Sequence, residues 1–355
     1  MRNLTIRGIK REEFSAEEMD NARNNNLELK QSIVFSTARN ISDEHTIQVG
    51  DTDLVEFVFE DDTSWTGGAD IIHDLFPQAA RTNRSGEAFV VPMSLEADSS
   101  DRGLGTIALK LLNVFAKKAV AKKVIDLAAS LEKKALNNQS GVFGIDPGFH
   151  LGKWKITETA RPNLLFIHGT NSSTWGSFAE IRDSVLWKHM QDTYGGNIFG
   201  LQHETMTKSP IQNVIALFKE LPQTCTLHVI THSRGGLVGD VLARFSNGHK
   251  GFSEEEIAYL QKTNRKTDVD DIRALQKLAA GKNIRIEKFI RVACPAYGTT
   301  ILSKRLDHFL NISCNLLSLA GGAAAVIGSE LKALIAAAVD TKNDPNELPG
   351  LEAMN

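Results

Sequence analysis

Leu227-His228-Val229-Ile230-Thr231-His232-Ser233-Arg234-Gly235-Gly236-Leu237-Val238 is the stretch whose reading decides the fold. An apolar run ends in a turn around Ser233, and the residues beyond it place Leu237, Val241 and Phe245 on one helical face. A serine on a sharp strand-to-helix turn projects its hydroxyl above the end of a sheet, where a reacting group can reach it. Gly235, two positions on, lets the helix pass close to the strand. Thr231 stands where such turns usually carry glycine, so this turn must tolerate a larger side chain. Serines also occur in ordinary βα turns, and a five-residue pattern alone is weak. The strand, turn and helix together single out Ser233 as a nucleophile.

A serine nucleophile needs backbone donors aimed at the oxygen that becomes negative in the tetrahedral intermediate, and removing one donor costs about 2.7–4 kcal/mol of barrier. One candidate is the N–H of Arg234, at the N-terminus of the helix, where unpaired amides and the dipole both favour an anion. The other follows the apolar run Leu164-Leu165-Phe166-Ile167 and its continuation His168-Gly169-Thr170. Gly169 lets backbone approach a substrate with no side chain in the way, leaving the N–H of Thr170 as donor. His168 reads as a structural residue rather than an acid or base, and His232 points elsewhere on the turn.

Working outward, short apolar strands alternate with helices after Gly141–Gly152, as in a mainly parallel sheet flanked by helices. The core strands are expected at 164–167, 198–201, 227–230 and 284–292. Between the last two lies a charged excursion with a helix-start signal, Ser253 followed by Glu256, and a second helix ended by Gly281. It reads as a surface insertion. Residues 1–102 alternate in short runs such as Leu54-Val55-Glu56-Phe57-Val58-Phe59 and suggest a small β-rich region. No chemical site assembles there: His45 and His73 are isolated, and Asp61-Asp62 reads as a solvated turn.

From Leu104 to Leu136 there is no proline, and Ile107, Leu111, Val114, Val120, Val124, Leu127 and Leu131 recur at threes and fours. That spacing predicts a long amphipathic helix within a 103–140 linker. Its polar side would carry Lys110, Lys117, Lys118, Lys122, Lys123, Lys133 and Lys134 against Asp126 and Glu132. Such a face is either solvated or attracts an anionic membrane surface or acidic partner. The domain of interest is thus 150–355.

Of the 355 residues, 42% are hydrophobic and 23% charged, enough for one large domain and a smaller one, and the net charge of −3 gives no global reason to expect nucleic acid. Cys225, Cys294 and Cys314 lack the spacing of a zinc site and their odd number argues against a disulfide framework. The N-terminus lacks the apolar stretch of a signal peptide, so the expected compartment is the cytoplasm.

The segments from Phe166 to Phe178 and from Thr231 to Val238 resemble bacterial lipase-like α/β hydrolases. More narrowly, they are similar to the hydrolase domains that occur alongside caspase-like (CHAT) peptidase domains. His203-Glu204-Thr205, Ser209-Pro210 with Asn213, Leu221-Pro222, the Val292–Thr299 loop and Leu348-Pro349-Gly350-Leu351 add to the likeness, which covers about residues 160–355. The resemblance implies Ser233 as nucleophile, with Thr170 and Arg234 as oxyanion donors. A caspase-like peptidase is the protein partner it points to.

In that fold the acid and histidine follow the serine in chain order. After Ser233 the histidines are His249, in a polar loop, and His308, whose neighbour Asp307 cannot face it from an adjacent helical position. The sheet is therefore expected to lack its last strands and the chain to be a fragment or a shortened protein. Phe309–Ser329 is 21 residues without a charge. It reads as a lid or buried helices over the Ser233 pocket, with membrane or partner contact as the alternative. The expected activity is hydrolysis of an ester or acyl substrate with no metal or organic cofactor, poor in this chain for want of a base. The rival is a non-catalytic module that binds a protein partner or a membrane surface.

Overall fold

A computed structural model of the protein describes residues 2–24, 27–35, 43–61, 63–69, 71–76, 80–83, 86–95, 107–117, 124–158, 161–294, 310–311, 334–335 and 348–353. The chain divides into two compact units, Met1–Leu127 with Lys304–Asp344, and Ala128–Ser303 with Pro345–Asn355.

The first unit is β-rich. Its strands are β1 (Arg2–Arg7), β2 (Ile9–Lys10), β3 (Leu27–Val34), β4 (Glu44–Val49), β5 (Leu54–Phe59), β6 (Ser64–Gly67), β7 (Ala80–Asn83), β8 (Gly86–Val90), β9 (Ser94–Leu95) and β10 (Ile107–Lys117). They form a sheet in the order β4-β1-β8-β7 and another in the order β2-β3-β10-β5-β6, with β9 beside β10. Leu4 and Ile6 from the first sheet share one core with Ile33, Phe57 and Leu112 from the second. The unit also holds the short helices α1 (Ala16–Asn24) and α2 (Ile71–Leu75). Asp61 closes a turn by accepting from the Thr63 amide and hydroxyl, and His45 bonds the Gly8 carbonyl.

The expected long helix does not form. Ile107–Lys117 is instead strand β10, paired antiparallel with β3 on one side and β5 on the other. Its register shifts between Leu109 and Leu111 against β5, and between Val114 and Phe115 against β3. Each bulge slips the two-residue alternation by one position, so apolar residues recur at threes and fours as they would on a helix. Helix α3 begins at Val124 and runs to Ala135. The lysines accordingly make no single helical face: Lys110 lies on a strand, and Lys133 and Lys134 end α3.

The second unit holds the expected sheet. Its strands are β11 (Gly141–Ile145), β12 (Leu151–Gly152), β13 (Asn163–Ile167), β14 (Ile198–Gln202), β15 (Thr224–His232) and β16 (Asn283–Val292), in the order β12-β11-β14-β13-β15-β16. From β14 to β16 the pairings are parallel, and β11 is antiparallel to β14. Strands β13 and β14 are buried throughout, which is why they read as unbroken apolar runs.

Helices cover both faces. Leu164 and Phe166 of β13 pack with Phe178 of α4 (Thr174–Phe178) and Trp187 of α5 (Val185–Tyr194). On the opposite face, Leu165 and Ile167 share a core with Val214, Leu217 and Phe218 of α6 (Pro210–Glu220) and Val238 and Leu242 of α7 (Gly235–Arg244). The charged excursion forms α8 (Glu254–Lys262) and α9 (Lys266–Ala279), and Ser253 and Glu256 make the expected reciprocal cap. Helix α9 is more than a surface insertion, because its Leu275 belongs to the same core as α6 and α7.

Strand order fixes where a site can be. Leaving β13, the chain passes through α4 and α5 to β14 on one side; leaving β15, it passes through α7 to β16 on the other. Between β13 and β15 the connections diverge, and the carboxyl ends of neighbouring strands at such a point are where open α/β sheets bind ligands. Those ends are Ile167-His168-Gly169 and His232-Ser233.

No helix among the described residues is long and apolar enough to cross a membrane. Most of Phe309–Ser329 lies outside the described residues. Of that run, Leu310 and Asn311 are buried in the first unit, where the Asn311 amide bonds the backbone of Thr66.

Candidate active site

Ser233 follows directly on β15 with φ of 53°, in the left-handed region that non-glycine residues seldom enter. Two backbone bonds hold it there: its amide donates to Val292 O at 2.9 Å and its carbonyl accepts from Gly236 N at 3.0 Å. The residue is partly exposed, at the first turn of α7. A Cβ on Gly235 would lie 2.3 Å from the Ile167 carbonyl oxygen and 2.7 Å from that of His168, so the helix starts directly against the end of β13. Thr231 is fully buried, and the departure from glycine is absorbed by α7, where a Cβ on Gly239 would meet Thr231 Cγ2 at 2.9 Å.

The loop after β13 closes on the serine. An ideal Cβ on Gly169 would stand 2.9 Å from Ser233 Cβ and 3.2 Å from the His232 carbonyl oxygen. Thr170 follows, partly exposed, and Asn171 has φ of 47°. The structure therefore brings Ser233, Arg234, Gly235, Gly169 and the Thr170 turn to one place.

The histidines beneath this turn are occupied. His168 Nε2 accepts from the His203 amide at 3.2 Å, so its Nδ1 carries the proton and donates to Gly169 O at 2.9 Å. His203 Nδ1 faces Leu201 O at 3.2 Å, and the two rings stack at 4.1 Å between centroids. Burial pushes the pKa of His168 down to about 4 and that of His203 well below its usual value, so both imidazoles are neutral near pH 7. Through these contacts they brace the ends of β13 and β14 against each other. His232 turns its ring edge-on to Phe178, and burial lowers its pKa as well. His249 is exposed beyond the far end of α7, about 15 Å of helix from Ser233, and cannot serve as its base. Asp307 and His308 lie outside the described residues.

Sequence reading missed the side chain of Arg234. Its guanidinium is fully buried, with Nε donating to Gly350 O at 2.8 Å and Nη2 to Lys208 O at 2.7 Å. Burial lowers its pKa to about 10, and Glu132 opposes that shift. Glu132 itself, from α3, is buried and accepts from the amides of Thr205, Met206 and Thr207 and from the hydroxyls of Thr205 and Thr207. The loop after β14 is thus held from one side by a carboxylate and from the other by a guanidinium. Nothing local in the sequence signals this, because Glu132 and Gly350 are distant in the chain from the residues they hold. The short helix Pro349–Glu352 is locked on through Gly350, whose amide donates to Met206 O.

Two of the three cysteines are described: Cys225 is buried and free, and Cys294 is free, its Sγ 3.3 Å from the Thr231 hydroxyl. Among the described residues no group of His, Cys, Asp and Glu is placed to hold a metal ion.

Residues 147–280, a span that contains both Gly169 and Ser233, match a domain of unknown function, DUF7379. No curated protein and no solved structure matches the chain.

Proposed function

We propose that the second unit is a serine hydrolase of the lipase or esterase type, with an α/β-hydrolase arrangement and Ser233 as nucleophile. The observation that carries the reading is the left-handed Ser233 turn at the diverging ends of β13 and β15, pressed against the Gly169 loop. A nucleophile strand beside the strand that carries the second oxyanion donor is what this chemistry requires. Ser233 Oγ attacks the carbonyl of an ester or acyl substrate, and the amides of Thr170 and Arg234 receive the oxyanion. The alcohol or other leaving group departs with a proton, and water hydrolyses the acyl-enzyme. We place the protein in the cytoplasm, with a caspase-like peptidase as the protein partner.

None of His168, His203 and His249 supplies the base. His168 and His203 are buried and weakly basic, His168 with both ring nitrogens on backbone groups, and His249 is remote. An unassisted serine is a weak nucleophile, so turnover by this chain is expected to be slow, retaining only what binding and the oxyanion donors contribute. The same commitment of the histidines favours the second reading, a non-catalytic module with a preserved turn. Hydrolysis of short-chain p-nitrophenyl esters by the chain and its Ser233→Ala variant separates the two. Slow turnover that vanishes in the variant is expected; equal rates in both would leave the module.

A further inference from the structure

The reach of Glu132 does not stop at the loop it holds. Thr205 Oγ1 donates to Glu132 Oε1 at 3.2 Å and accepts from the Asn171 amide at 2.9 Å. Asn171 is one of the two left-handed residues of the site and follows directly on Thr170. A short relay therefore runs from a buried carboxylate, through one buried hydroxyl, to the turn that faces Ser233.

We infer that Glu132 and Thr205 are positioning residues that hold the Gly169–Asn171 turn in place against Ser233. The inference rests on the reading of Ser233 as nucleophile, since the turn it fixes carries the Thr170 amide. The two oxygens of Glu132 act here as acceptors only, and five donors fill them. Its orientation is thereby fixed, and with it the direction in which the Thr205 hydroxyl spends its single proton. That proton goes to Glu132, which leaves the oxygen's lone pairs to the Asn171 N–H. Without the relay, the Asn171 amide loses its acceptor, and a left-handed non-glycine residue persists only where its surroundings over-determine it. Thr205 and Glu132 touch no substrate; they act through the backbone of the turn.

Thr205→Val keeps the shape of the side chain and removes the relay, whereas Thr205→Ser keeps the hydroxyl. Two readouts are taken on the full chain: fluorophosphonate labelling of Ser233, resolved into maximal rate and half-saturation, and amide hydrogen exchange over residues 168–173. In Thr205→Val the maximal labelling rate is expected to fall about tenfold or more with half-saturation unchanged, the usual sign of a misplaced group. Exchange over 168–173 should quicken about tenfold or more, reporting local opening, while exchange over 225–232 stays at the parent value. Thr205→Ser should restore both. Parent-like labelling and exchange in Thr205→Val would overturn the inference, as would a serine variant that fails like valine. Should the parent chain itself resist labelling, the nucleophile reading falls, and the exchange comparison alone decides whether the relay holds the turn.

Discussion

Ser233 occupies a backbone conformation that costs a non-glycine residue on the order of 1–3 kcal/mol, and the fold holds it there with a bond to the Val292 carbonyl and one from the Gly236 amide. The serine was legible because everything that makes its turn is local: an apolar strand before it and glycines after it. Its neighbours were only half legible. The backbone role of Arg234 follows from its place after the serine, but its side chain ends on Lys208 and Gly350, 26 and 116 positions away. The buried histidines carry a consequence for pH. His168 is fully buried and its pKa in the folded protein is about 4, against 6.5 when exposed. Between these values the unfolded chain takes up a proton that the folded chain refuses, so stability is complete above pH 6.5 and falls as the pH drops towards 4. The slope is about 1.4 kcal/mol per pH unit for one such group, on the order of 3 kcal/mol in all. Urea unfolding of the chain between pH 7.5 and 4 is expected to show at least this loss, and His168→Asn should reduce it while leaving the share that buried His203 contributes in the same direction. A parent whose stability is level across that range would contradict the burial argument.

At the scale of elements, the close approach of α7 to β13 is the feature on which the site depends. Alanine at Gly235 would drive its Cβ to within 2.3 Å of a backbone carbonyl oxygen, which no side-chain rotation can relieve. Gly235→Ala is expected to cost about 1–3 kcal/mol, as overpacking does, and to slow Ser233 labelling because the whole first turn must shift. Unfolding midpoints and labelling rates at the parent value would show that the helix has room to spare. Elements that follow one period were readable: β13 and β14 as buried runs, α8 from the Ser253 and Glu256 cap. Strand β10 was not, since two bulges gave it a helical recurrence of apolar residues. A long strand at the centre of a sheet also buries residues on both faces, which removes the polar alternation that would have identified it.

At the scale of the whole molecule, the two units draw on distant parts of the chain. The first takes in Lys304–Asp344 and the second takes in Pro345–Asn355. No periodicity announces such a return. In the second unit it is visible only once Arg234 and Met206 are seen to hold Gly350. The relay from Glu132 to Asn171 is of the same kind, built from residues at 132, 205 and 171 that meet only in the folded chain. The central claim, that this architecture presents Ser233 as a nucleophile, has a direct test. The folded chain and the urea-unfolded chain are treated with a fluorophosphonate, and the adduct is located by peptide mass mapping. A single adduct on Ser233, formed by the folded chain and absent from the unfolded one, is the result this account predicts. An unmodified Ser233 in the folded chain, or labelling spread over several serines regardless of folding, would contradict it.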